Sequence, residues 1–200
     1  MDSLIMPREE LCRRVCNMLL KTFPLTTLNT LDLHPLDTYY DSTKPPTELP
    51  EGFINFFLQL MNVHELSIYA KYINSSVFEA LNTPTAQGSI DPSSAERIQS
   101  CILPALQRLT LRQGYDEKLL NMDVVRAFVS SRHDMGLPVS HVRVHRHYTV
   151  DRYMLADFRA GLYPLTTLGC HVDFSVPQES DMGPNKRTVV DITDIEPIDF

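Results

Sequence analysis

The apolar residues of this chain change period near Gly136 and Pro138. Upstream they recur mostly every three or four residues, as one face of a helix requires. Across 139–150 they alternate, as a half-buried strand requires. The switch predicts an α+β fold in a single domain, 1–200. Residues 1–136 form a mainly helical part, packed on a small, mostly antiparallel sheet from the β-rich 137–200.

The helical reading runs as follows along the chain. Pro7 suits a first turn, and Glu9 and Glu10 favour the positive end of the helix dipole. Leu11, Val15, Met18 and Leu19 then mark a buried stripe that ends at Pro24. Leu31 and Leu33 fit a short strand. The proline-rich 34–50 reads as an ordered surface loop held by Leu36, Tyr39 and Tyr40. Phe53, Phe56, Phe57, Leu60 and Met61 predict a helix. Leu66, Tyr69, Ala70 and Ile73 predict another, with a turn over 77–81. Ser93 with Glu96 has the spacing of a capping box. It opens a helix with Ile98, Ile102, Leu106 and Leu109 inward, kinked at Pro104 and stopped at Gly114. A helix over 122–132 turns Val125, Phe128 and Val129 inward. Asp151 caps a short helix carrying Met154, Leu155 and Phe158 that ends at Gly161. Strands are predicted over 139–150, 168–176 and 188–195.

One phrase occurs twice. Phe23-Pro-Leu-Thr-Thr-Leu28 is echoed by Tyr163-Pro-Leu-Thr-Thr-Leu168. Each closes a helix and opens an extended stretch, because proline cannot continue the helix and Thr-Thr-Leu favours strand. The flanks do not repeat, so the echo reads as one local solution used twice rather than a duplicated unit.

Composition narrows the function classes. With 43% hydrophobic and 22% charged residues over 200 positions, the chain can bury a core without staples. A net charge of −7 disfavours general nucleic-acid binding and suits protein partners. Cys12, Cys16, Cys101 and Cys170 show no zinc-ribbon spacing and read as reduced thiols of a cytoplasmic or nuclear protein. The amino-terminal residues lack the charge and apolar run of a secretory leader, and no stretch has the length of a membrane span. Nucleophile-elbow and phosphate-loop motifs are absent, and no cofactor is expected. Pro84-Thr85-Ala86-Gln87 lacks the final proline of the budding tetrapeptide it approaches. The patch of Phe53, Phe56, Phe57, Tyr69 and Tyr72 reads as core before it reads as a partner groove.

The chemistry gathers on the strand at 139–150. One face carries His141, Arg143, His145 and His147. The other carries Val142, Val144, Tyr148 and Val150, with Arg146 as the exception. If the next strand pairs beside it, His171 and Asp173 join that face, and Asp191 can join from the last strand. Three readings compete. His145 and His147 with His171 or Asp173 can hold a divalent metal, as a His-dependent enzyme would. Arg143, Arg146, Arg152 and Arg159, with Tyr148 and Tyr153 for stacking, can bind phosphate or RNA. Or the positive groups meet acidic neighbours such as Asp173, Asp191 and Asp194 across the sheet.

The last reading sets the expectation. It is a non-enzymatic interaction or structural protein, a subunit of a larger assembly, with a viral structural component as one version. His141, Arg143, His145, Arg146 and His147 form its interaction or anion-binding face. Ile195, Ile198 and Phe200 in the acidic tail are suited to docking. Protein partners or self-assembly are expected, and nucleic acid is not favoured.

Overall fold

A computed structural model describes residues 8–33, 56–69, 75–82, 101–113, 121–146, 152–177 and 187–195. Its frame is one six-stranded sheet: β1 Thr30–Leu33, β2 Glu65–Tyr69, β3 Arg108–Gln113, β4 His141–Arg146, β5 His171–Pro177 and β6 Arg187–Asp191. Spatial order equals chain order. The first five strands are parallel, and β6 alone runs antiparallel, against β5. Four helices described end to end accompany it, α1 Arg8–Thr22, α2 Ser75–Asn82, α3 Met122–Asp134 and α4 Arg152–Leu162, and residues 56–58 are helical too.

This overturns the expected helical first two thirds on a small antiparallel sheet. Sheet begins at Thr30 and draws strands from the whole described chain. The predicted helix around Leu66 is β2. The stretch Ile102–Leu109, predicted to be a kinked helix, is a turn leading into β3. The reason lies in the spacing. Leu103, Leu106, Leu109 and Leu111 follow the phrase L-x-x-L-x-x-L-x-L. Leu60, Val63, Leu66 and Ile68 follow it too, as do Leu25, Leu28, Leu31 and Leu33. A step of three imitates a helix, yet here the first two apolar positions anchor a turn and the last two lie on a strand.

Register shows why the phrase recurs. Leu31, Leu66, Leu109, Val142 and Val172 are partners from strand to strand, as are Leu33, Ile68, Leu111, Val144 and Phe174. The backbone repeats as well. The Asn29 carbonyl accepts from the N–H groups of His64 and Glu65, that of His64 from Gln107 and Arg108, and that of Gln107 from Ser140 and His141. The Ser140 carbonyl accepts from His171. Each coil of chain thus hangs on its predecessor just before its strand begins. Stacked coils of this kind bury a continuous apolar stripe that no single coil can bury alone. The unequal intervals between strands hide the repeat from a search at fixed period. Asn62 adds a side-chain stitch, donating to the Thr26 carbonyl of the first coil at 2.6 Å.

Those two apolar columns join one core with Cys16 of α1, Phe78 and Leu81 of α2, Val125, Phe128 and Val129 of α3, and Phe158 and Leu162 of α4. All four described helices therefore pack on the same side of the sheet. The stripe of α1 is rotated from expectation: Cys16 is buried and Leu19 packs against the core, but Val15 and Met18 are exposed. Phe56 and Phe57 are core residues, as the aromatic patch predicted. The predicted strand over 188–195 turns into a 3-10 helix at Ile192. The loop 34–50, the capping box at Ser93, Asp151 and Pro84–Gln87 lie outside the described residues.

The echoed phrase forms a 3-10 turn in both places, Leu25–Thr27 and Tyr163–Leu168, rather than the extended start expected. The Thr27 hydroxyl donates to the Pro24 carbonyl at 2.8 Å, and Thr167 donates to Pro164 at 2.7 Å. A hydroxyl that caps its own turn three residues back favours the turn over the strand. Each turn leads into a parallel strand, β1 or β5. The second needs one more residue to reach register, and Gly169, at φ 76°, supplies it in the left-handed region.

Arg132 holds the turn before β3. Its side chain is wholly buried, with Nη1 donating to the Ile102 carbonyl at 3.1 Å and Nη2 to the Leu103 carbonyl at 2.8 Å. Leu103 itself sits at φ 52°, a conformation that costs a leucine energy and is imposed by the packing around it. Burial lowers the Arg132 pKa, against the opposing influence of Cys101. Arg132→Met, which keeps the bulk but takes the guanidinium from the Ile102 carbonyl and leaves that of Leu103 with the Leu106 N–H alone, is expected to cost about 2–3 kcal/mol in urea unfolding.

Gly161 marks where α4 meets α3. A Cβ there would lie 2.8 Å from Met122 Cγ and 2.9 Å from Met122 Cβ. Gly→Ala within a helix ordinarily stabilises by about 0.5–1 kcal/mol. Gly161→Ala is expected to destabilise instead, by about 1–2 kcal/mol, with partial rescue by Met122→Ala, measured by the same unfolding assay.

Candidate functional site

Alternation puts the remaining strand residues on the opposite face of the sheet. Between the two core columns runs a polar one: Asp32, Ser67, Thr110, Arg143 and Asp173, followed by Asp191 of β6. Beside it lie Thr30, Glu65, Arg108, His141 and His171, and on its other side Tyr69, Arg112, His145 and Ser175. Parallel sheets are usually covered on both faces. Here Thr30, Asp32, Arg108 and His171 are exposed, and Glu65, Arg112, His141, Arg143, His145 and Asp191 are half-buried.

Charges on this face are paired from strand to strand. Arg112 donates to Ser67 Oγ at 2.6 Å and reaches Asp32 at 2.9 Å; Arg108 meets Glu65 at 3.4 Å. The densest cluster lies across β4, β5 and β6. Asp173 is only 2% exposed. Its carboxylate accepts two bonds from Arg143, Nε to Oδ1 at 2.7 Å and Nη2 to Oδ2 at 2.8 Å. His141 Nε2 lies 2.7 Å from the same Oδ2. His171 stands between two carboxylates, with Nε2 3.7 Å from Asp173 and Nδ1 3.1 Å from Asp191. The two imidazole rings are 4.9 Å apart, centroid to centroid.

Register places these groups. Arg143 is the Cα partner of Asp173, His141 of His171, and Asp173 of Asp191. Two acids directly opposite would repel. Arg143, His141 and His171 offset that repulsion. Burial pushes the Asp173 carboxyl up, but the hydrogen bonds from Arg143 and His141 together outweigh it and hold it below the usual carboxylate range. Burial pulls His141 below its ordinary 6.5 in spite of the Asp173 bond, so the neutral ring donates its Nε2–H. Hydrogen bonds from the Thr193 hydroxyl and N–H keep Asp191 low.

The structure brings His141, Arg143, His145, His171, Asp173 and Asp191 to one face. It separates the rest. Arg146 is buried on the core side, its guanidinium over the Phe158 ring at 5.2 Å, which removes it from the interaction face. Arg159 sits on α4 over Tyr163. Arg143, Arg146 and Arg159, expected together for phosphate binding, therefore do not converge, and Arg143 is already engaged by Asp173. His147 and Tyr148, and with them part of the expected trio of His145, His147 and His171, lie outside the described residues; among the described ones His171 shares its rung with His141, while His145 shares one with Ser175. Cys170, beside His171, points into the core, and burial pushes its thiol up to about 11, far from a nucleophile at neutral pH. Arg112, Asp32 and Ser67 were missed in the sequence. The signal was the polar middle of each L-x-L, which becomes readable once β2 and β3 are recognised as strands.

No described helix is long and apolar enough to cross a membrane. Compared with known proteins, the chain matches no family model, no curated protein and no solved structure.

Acid should loosen the sheet in two steps. A lowered His141 takes up its proton more readily when unfolded, so its contribution is complete above 6.5 and declines as pH falls below it. Asp173 contributes fully above 3.8 and loses its contribution as pH falls through its lower folded value. Arg143→Ala, which strands a buried carboxylate, is expected to cost roughly 1–3 kcal/mol at neutral pH, less than a fully buried pair because Arg143 is partly solvated. In Asp173→Asn the lower of the two acid steps should vanish from an unfolding series recorded against pH.

Proposed function

We propose that the chain is a non-enzymatic interaction module that binds a protein partner, or a second copy of itself, on the polar face of its sheet. The observation that carries this reading is the laddered face itself. Six strands present side chains in fixed columns, on the side away from the four described helices. Rigid strands hold such groups at set positions with little ordering cost on binding. Because Arg108, Arg112 and Arg143 are matched by Glu65, Asp32 and Asp173, the face has no strong net sign. That suits a protein surface of mixed charge better than a polyanion, whose binding requires uncompensated cations.

The two ends of the sheet add support. β6 closes one end, with Ile192 and Ile195 buried beneath it. At the other end β1 is the edge strand, and Val15, Met18 and Phe23 expose apolar surface nearby in the chain. An edge strand offers its outer backbone groups to a partner strand.

Site-specific photocrosslinking tests the reading. A crosslinker replacing Arg108, on the polar face, is expected to give one discrete product with a partner chain or a second copy. One replacing Asp157, on the exposed side of α4, is not. Light scattering tells self-association from a foreign partner. Equal products from both positions, or none from Arg108 in a strictly monomeric chain, would count against it.

A further inference from the structure

The cluster at β4, β5 and β6 has the geometry of a metal site. One ligand atom from each of His141, His171 and Asp173 lies within 4.8 Å of the others. Two imidazoles and a carboxylate suit zinc and its first-row neighbours. At zinc bond lengths of about 2.0–2.2 Å, tetrahedral ligand atoms stand roughly 3.4 Å apart. His141 Nε2 and Asp173 Oδ2 are 2.7 Å apart and would open slightly. His171 Nε2 is 3.7 Å from that oxygen and would close slightly. Rotation of the half-exposed His171 ring supplies the closing movement, and the opening one falls to the His141 ring.

A second arrangement points the same way. His171 Nδ1 faces Asp191 Oδ2 at 3.1 Å. A histidine that donates from Nδ1 keeps its lone pair on Nε2, the nitrogen turned toward Asp173. Metal-binding histidines are oriented by such a carboxylate. Asp191 is itself fixed by the hydroxyl and N–H of Thr193, at 2.6 and 2.8 Å. Asp173 is held by Arg143 through both oxygens, Nε to Oδ1 and Nη2 to Oδ2, which fixes the carboxylate with the other side of Oδ2 turned to the two rings.

We propose that His141, His171 and Asp173 bind a zinc-class divalent cation through Nε2, Nε2 and Oδ2, with Asp191 as the positioning residue of His171. His141 exchanges tautomers on binding: its proton moves from Nε2 to Nδ1, and the freed lone pair meets the ion. Three protein ligands leave one tetrahedral position open on the solvent side, beside the 53%-exposed His171, where water or a group from a partner completes the shell. The ion can bind whether or not the polar face serves a protein partner.

The test uses the full chain stripped with chelator. Zinc affinity is read by competition with a chromophoric chelator, and cobalt coordination by its visible spectrum. One zinc per chain is expected at micromolar concentration or below, with cobalt bands that zinc abolishes. His171→Ala, at a half-exposed position that leaves the fold intact by circular dichroism, should weaken zinc at least ~100-fold. Asp191→Asn should weaken it about tenfold, the usual size of an outer-shell effect. His145→Ala, two rungs along the face, should leave it unchanged. Absence of equimolar binding, or binding that survives His171→Ala, overturns the assignment.

Discussion

Register is the constraint on which this structure rests. A strand's side chains alternate, so pairing Leu31, Leu66, Leu109, Val142 and Val172 fixes at once which residues enter the core and which line the opposite face. A slip of one residue at β5 would drive Asp173 into the apolar layer and expose Val172 and Phe174. The apolar columns therefore also hold the polar cluster together. Burial of Val172 and Phe174 places Asp173 opposite Arg143.

The coils reach that register by different means. The first three share a leucine-spaced turn, which Arg132 secures in the third by binding the carbonyls of Ile102 and Leu103. The fifth shares its threonine-capped 3-10 turn with the first and adds a left-handed glycine. The Asn29, His64, Gln107 and Ser140 carbonyls nevertheless make the same step in each. What is common is the backbone hand-over, and the side chains that enforce it vary from coil to coil.

On the polar face the balance of forces is local. Asp173 and Asp191 are register partners, which alone would repel, and the cationic and imidazole groups around them turn that repulsion into a compact network. The same closeness draws three ligand atoms together. Low dielectric around Asp173 strengthens its bonds to Arg143 and His141 and makes the loss of either costly. A structural ion-pair network and a cation site thus have nearly the same geometry here, distinguished by where one imidazole proton sits.

Much of this was legible in the residues alone. The helices at 8–22, 122–134 and 152–162, the strands β1, β4, β5 and β6, and the shared face of His141, Arg143, His171 and Asp173 follow from local period and from a single assumption about neighbouring strands. The helical reading of β2 and β3 failed because apolar residues three apart fit a helix and a turn-plus-strand equally well, and no local energy separates the two. Only the stacked neighbours do: Leu66 and Leu109 lie on strands because Leu31 and Val142 lie beside them. Parallel direction was likewise a tertiary decision, since it depends on where the chain travels between strands. The sequence determined which groups a strand would present, and the tertiary structure determined which groups they would meet, because pairing across strands joins residues that are distant along the chain.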